Sequence, residues 1–180
     1  MNRNLSQIIA AFTLATLISC DEKKPKTEVQ NGTGTEMEQT GSVAQQMGDV
    51  LFSEDQTGKM FQYYQQLRTA LVNSEPAMAK QAAIDLANQL DGEGNTVKAT
   101  VMAMAETSGL EDQRALFSAL TEKVEPLFKA SISEGTIYKQ FCPMAFDGNG
   151  GYWLSSSEEI RNPYYGDRML TCGTVTETIR

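Results

Sequence analysis

Four amphipathic segments joined by short turns, then a tail of different character, predict a mainly α fold: an up-down four-helix bundle capped by a C-terminal loop and short β segment. Three observations carry the prediction. Apolar residues recur every three or four positions between residues 53 and 130. Helix-start and helix-stop residues divide that stretch into four pieces. From residue 136 the periodicity gives way to β-prone and aromatic residues separated by glycine-rich turns. Antiparallel helices with short connections bury four such stripes against one another.

The elements follow in order. Met60, Tyr64, Leu67 and Leu71 fall on one helix face. Ser74 and Pro76 mark a new start, because proline tolerates the first helical turn. Ala79, Ala83, Leu86 and Leu90 form the second stripe, and Asp91-Gly92 closes it with a residue suited to a left-handed cap. Val97, Val101, Met104 and Ala105 form the third, ending at Thr107-Ser108-Gly109. The fourth opens on Ser108-Gly109-Leu110-Glu111, the spacing of a capping box, and runs through Leu116, Leu120, Val124 and Leu127. Pro126 lies inside it and is expected to kink or split the helix near Glu122. Met102 and Met104 are expected as core filler. Beyond them, Thr136 to Phe141 is β-prone and Gly148-Asn149-Gly150-Gly151 makes a loop. Tyr152-Trp153-Leu154 is an apolar cluster for the helices, and Met169 to Ile179 a closing strand.

The N-terminus bears on location. Arg3 precedes an apolar run, Ile8 to Ile18, that has the length of a signal-peptide core and is too short to span a bilayer. It leads into Leu17-Ile18-Ser19-Cys20, which resembles the lipobox of bacterial lipoprotein signal peptides. That resemblance implies cleavage before Cys20 and its diacylation. The expected organisation is a signal peptide over 1–19, a lipid-anchored flexible tether over 20–52, and a helical domain over 53–180 with its Cys/Met segment at 136–180. Such a protein resides in the cell envelope, held at the membrane through its N-terminal lipid. The net charge of −8 becomes one unit more acidic without Arg3, which argues against nucleic acid as a partner.

With Cys20 lipidated, Cys142 and Cys172 remain as a pair, and the chain has no histidine. Phe141-Cys142-Pro143-Met144 and Met169-Leu170-Thr171-Cys172-Gly173 each offer one thiol and one thioether. Sulfur-only ligands favour copper(I), so Cys142, Met144, Met169 and Cys172 are the candidate metal ligands. Cys142 and Met144 would share a face of an extended strand, and Met169 and Cys172 a face of a helical turn. Phe141, Trp153 and Tyr164 could shield the ion from water. The same two cysteines could instead close a disulfide around about 30 residues, worth roughly 3–4 kcal/mol. Both readings stay open at this point.

An enzyme is not expected. No histidine activates Cys142, adjacent Glu158 and Glu159 diverge, and Gly148-Asn149-Gly150 lacks the third glycine of a dinucleotide fingerprint. Asp147-Gly148-Asn149-Gly150 and Asp91-Gly92-Glu93-Gly94-Asn95 read as turns, since neither has full calcium-loop spacing. Arg161-Asn162 before Pro163 reads as an internal hydrogen-bond knot ahead of a partner surface.

Taken together, Cys142-Pro143-Met144-Ala145, Tyr152-Trp153-Leu154-Ser155, Glu159 to Gly166 and Met169 to Gly173 resemble a family of uncharacterised bacterial envelope domains, over residues 57–180. Members occur as small lipoproteins and attached to periplasmic adaptor subunits of copper and heavy-metal efflux systems. The resemblance implies a copper-associated context, with a metal-efflux adaptor or copper-maturation protein as partner, and supplies no activity. Cys142-Pro143-Met144 is also similar to the Tyr-His-Cys-Pro-Met-His-Pro motif of small heavy-metal-binding domains on copper transporters. Phe141 and Ala145 occupy its flanking histidine positions, which leaves sulfur alone.

Overall fold

The computed structural model describes residues 50–90 and 95–180. The expected signal peptide, Cys20, residues 20–49 of the expected 20–52 tether and the Asp91-Gly92 cap lie outside the described residues. The last two residues of that tether, Leu51 and Phe52, form a strand that packs on the helices. The described chain is mainly α, with two small antiparallel sheets. In order, these are β1 (Leu51–Phe52), α1 (Asp55–Val72), α2 (Pro76–Gln89), α3 (Thr96–Glu106), α4 (Leu110–Ser131), β2 (Ile132–Glu134), β3 (Ile137–Cys142), the one-turn α5 (Ala145–Gly148), β4 (Gly151–Ser155), a 3-10 turn (Gly166–Met169) and β5 (Thr174–Ile179).

Each long helix packs on the next, and α4 returns to α1. The first three stripes enter the core nearly as the periodicity predicts: Met60, Tyr64, Leu67 and Leu71, then Ala79, Ala83, Leu86 and Leu90, then Val97, Val101 and Met104, are buried, and Ala105 is partly buried against them. Pro76 stands at the start of α2. Asn95 caps α3, its Oδ1 accepting from the N–H groups of Val97 at 2.9 Å and Lys98 at 3.3 Å.

Four local expectations fail, each for a physical reason. Helix α4 runs unbroken through Pro126. Pro126 and Glu122 both face solvent, where water can take the carbonyl that proline leaves unpaired, while Leu120, Val124 and Phe128 stay buried. The buried stripe of α4 is Phe117, Leu120, Val124 and Phe128, so Leu127 is exposed and Leu116 only partly buried. The capping box does not form: Gly109 is the N-cap, without a side-chain bond, and its N–H donates to Thr107 Oγ1 at 3.3 Å. Met102 lies on the outer face of α3, 47% exposed, while Met104 alone fills the core.

An aromatic cluster joins β1, α1 and α4. Phe52, Phe61 and Phe128 pack with centroids 5.1–5.6 Å apart, and Tyr64 stacks on Phe117 at 4.9 Å. Tyr64 also links α1 to β4. The Thr121 hydroxyl gives its proton to Phe117 O at 2.9 Å, so at 2.8 Å Tyr64 OH must donate to Thr121 Oγ1. Its oxygen then accepts from the Leu154 N–H at 3.0 Å. Burial raises the Tyr64 hydroxyl well above its ordinary pKa.

Two buried guanidinium groups brace this core, and neither is visible as a sequence pattern. Arg114, 2% exposed, donates to Pro163 O (2.9 Å), Leu71 O (3.3 Å), Ser74 Oγ (3.1 Å) and Glu111 Oε1 (3.0 Å). It thereby bonds one carbonyl at the end of α1, Leu71 O, and ties the 162–166 turn to the helices. Arg68 donates to Gln65 Oε1 at 3.1 Å and Arg161 O at 3.4 Å. Burial pulls its pKa down to about 10.

Candidate functional site

The site is assembled by strand register. The second sheet has the order β4-β3-β5, both pairings antiparallel. On one side Cys142 opposes Gly151 and Gln140 opposes Trp153. On the other, Phe141 opposes Thr174, so the end of β3 lies beside the residues that lead into β5. A bulge between Lys139 and Gln140 sets that register. The result is that Cys142 Sγ and Cys172 Sγ stand 3.1 Å apart, 30 residues apart in sequence.

The two thiols differ in access. Cys142 is fully buried, and Cys172 is partly exposed. The hydrogen bond to Cys142 raises the pKa of the Cys172 thiol, and burial and repulsion from Cys142 push the same way. Gly173, with φ of +153°, lets the chain pass under the indole: a Cβ there would meet Trp153 Cη2 at 2.8 Å, Phe141 O at 3.1 Å and Ile160 Cγ2 at 3.2 Å. Trp153 and Tyr164 are buried, with rings 5.9 Å apart and nearly perpendicular. Tyr164 OH donates to Tyr152 O, and burial raises its pKa. Phe141, next to Cys142 on the strand, turns to the opposite face and packs on Tyr152 at 4.5 Å.

The methionines sit differently from the cysteines. Strand β3 ends at Cys142, and Pro143-Met144 turns away instead of continuing it. Proline has no N–H for the ladder, so the expected shared strand face for Cys142 and Met144 does not arise. Met144 is 53% exposed, its carbonyl accepting from Tyr165 OH at 2.6 Å. Met169 ends the 3-10 turn, 37% exposed, and its carbonyl accepts from the Cys172 N–H at 3.0 Å. That bond closes a turn of the backbone from Met169 to Cys172.

Asn162 behaves as the knot its place before Pro163 suggests. It is fully buried, its Nδ2–H donates to Cys172 O at 2.8 Å, and its Oδ1 accepts from Tyr164 N–H at 2.8 Å. Gln140 pins the neighbouring loop, its amide nitrogen lying 3.0–3.3 Å from the carbonyls of Ser157, Glu158 and Glu159.

The donor set suits a soft ion. For a metal–thiolate bond of about 2.3 Å, the length seen with zinc, two sulfurs at a tetrahedral angle lie about 3.8 Å apart. A disulfide brings them to about 2.05 Å. The observed 3.1 Å falls between the two, so a movement of about 1 Å or less reaches either. No group of three or more His, Cys, Asp and Glu residues able to hold a metal occurs among the described residues.

Compared with known families, residues 60–135 match the model of a family described as a protein of unknown function (DUF3347). The matched stretch covers most of the long-helix region and ends before Cys142. No curated protein and no solved structure matches the chain.

Proposed function

We propose that this chain is an envelope lipoprotein that holds copper(I), or a similarly soft ion, on the Cys142–Cys172 dithiol. The observation that supports the reading is the contact of two thiols at 3.1 Å, delivered by the β3–β5 register from opposite ends of the C-terminal segment. In this reading the four long helices act as an up-down bundle, and the β3-β4-β5 segment is the cap that carries the site. Met144 and Met169, two residues from Cys142 and three from Cys172 and both exposed, complete the coordination with thioether sulfur in this reading. Trp153 and Tyr164 keep water from the buried side. The protein buffers the ion or passes it to an efflux adaptor or maturation partner, and Cys20 carries the lipid that keeps it at the membrane.

The same contact also favours a second reading, in which the dithiol closes to a disulfide and the domain serves as a stapled interaction module without metal. A copper(I) titration separates the two. The chain carrying Cys20→Ser, fully reduced, is titrated against a colorimetric copper(I) chelator. Capture of about one ion per chain, lost on oxidation, is expected from a dithiol site. Failure to compete with the chelator overturns the copper reading and leaves the staple. Replacing Met144 and Met169 together by Leu is expected to weaken capture; unchanged affinity removes the thioethers from the site.

A further inference from the structure

The two sulfur-bearing turns are joined a second time, through hydrogen bonds that avoid the sulfurs. Cys142 is set by the sheet, because it ends β3 opposite Gly151. Cys172 lies outside any strand, between the 3-10 turn and β5: the β3–β5 register brings it near, and hydrogen bonds hold its turn. The buried residue at the centre of those bonds is Asn162. Besides the bond from Nδ2–H to Cys172 O, its Oδ1 accepts from Tyr164 N–H and, at 3.3 Å, from Tyr165 N–H. Its own backbone N–H donates to Leu170 O at 2.8 Å, and its carbonyl accepts from Gly166 N–H at 3.0 Å. One buried residue thus closes the whole turn from Tyr164 to Cys172. Tyr165 extends the tie to the other cysteine's side, through its hydroxyl bond to Met144 O.

We propose that Asn162 is a positioning residue for the dithiol: its amide donor holds Cys172 so that its sulfur stands against Cys142, with Tyr165 completing a clasp around the pair. The clasp raises the effective concentration of one thiol at the other, and so the tendency of the pair to close. With glutathione disulfide as oxidant, the more accessible Cys172 thiolate attacks one of its sulfurs, forming a mixed disulfide and releasing one glutathione thiolate. The Cys142 thiolate then attacks the Cys172 sulfur, the second glutathione leaves as thiolate, and the two protons from the cysteines end on the two glutathione thiols. Two thiols are oxidised to one disulfide, and one glutathione disulfide is reduced to two thiols.

The test is the equilibrium constant of that exchange, measured on the full chain carrying Cys20→Ser in metal-free glutathione buffers. Asn162→Asp keeps the side-chain oxygen and the size but loses the donor to Cys172 O. It is expected to lower the constant about tenfold, which moves the reduction potential up by about 30 mV. Tyr64→Phe, which also loses a buried hydrogen bond but lies away from the cysteines, should lower stability and leave the constant within twofold. An Asn162→Asp chain that folds and keeps the parent's constant within twofold overturns the proposal, as does an equal shift in both variants. Should Asn162→Asp not fold, Tyr165→Phe decides: a fall of threefold or more supports the clasp, and a smaller one overturns it. Because no metal enters the assay, the clasp can fail while copper capture succeeds, and the reverse.

Discussion

Replacing Gly173 by alanine should cost far more than its one methyl group suggests. Two effects combine. With φ at +153° the residue occupies backbone space essentially reserved for glycine, which costs a side chain about 1–2 kcal/mol. The new Cβ would also stand 2.8 Å from Trp153 Cη2 and 3.1 Å from Phe141 O. The indole is fully buried and the carbonyl belongs to a strand, so neither gives way easily. Overpacking of this kind costs about 1–3 kcal/mol. Gly148 supplies the control, with φ of +88° and nothing within 4 Å of its would-be Cβ. Gly148→Ala should therefore incur only the backbone strain. Equilibrium urea unfolding of both variants, with reductant present, measures the difference. Gly173→Ala is expected to be less stable than Gly148→Ala by about 1–3 kcal/mol, or about 0.5–1.5 M in midpoint for a slope of about 2 kcal/mol/M. A difference below about 0.5 kcal/mol would refute the close approach of the chain beneath Trp153.

Two further outcomes test the core and the surface. Tyr64→Phe should cost about 1–3 kcal/mol in thermal or urea unfolding, because the buried Leu154 N–H loses its acceptor. Burial pushes the Glu125 carboxyl up, but its bonds to Lys129 and Lys139, both 2.7 Å, outweigh this and hold its pKa below the ordinary value. A lowered folded-state pKa gives stability that is present above the unfolded carboxylate range and lost as pH falls through the folded value. Glu125→Gln should therefore flatten the fall in stability below about pH 4, followed by urea midpoints across pH 2–7.

The helical half was legible where one rule sufficed. Tyr64 and Leu67 or Ala83 and Leu86 repeat at helical spacing, and only one face of a helix can meet its neighbours. Prediction failed where a local rule met tertiary packing. Pro126 costs one hydrogen bond, but the burial of Val124 and Phe128 on the same helix more than offsets it. Phe128 displaced Leu127 from the stripe because position 128 faces Phe52, Phe61 and Tyr64, a cluster drawn from the distant N-terminal side. Arg68 and Arg114 carried no signal at all, since carbonyls 43–93 residues away stabilise them. At the site, residue types pointed to Cys142 and Cys172, but their meeting depends on a bulged pairing of β3 with β5, which no local pattern encodes. The part played by Asn162 was legible only as a turn before proline. Its reach to the Cys172 carbonyl belongs to the fold.

The strand order β4-β3-β5 has a consequence for how the molecule opens. Strand β5 buries only Ile179, and beyond its ladder with β3 its side chains add the Lys129–Glu177 contact and the bond from Thr176 to Lys139 O. β4, on the other side of β3, is anchored by Trp153, Leu154 and the Tyr64 hydroxyl. Successive amides of β3 point alternately at these two neighbours. Those facing β5 are released whenever the last strand lifts away, a local opening, while those facing β4 wait for the core itself to unfold. The boundary between a loosely and a firmly cooperative unit thus runs lengthwise through a single strand, and a bond between Cys142 and Cys172 would move it by fastening the near end of β5.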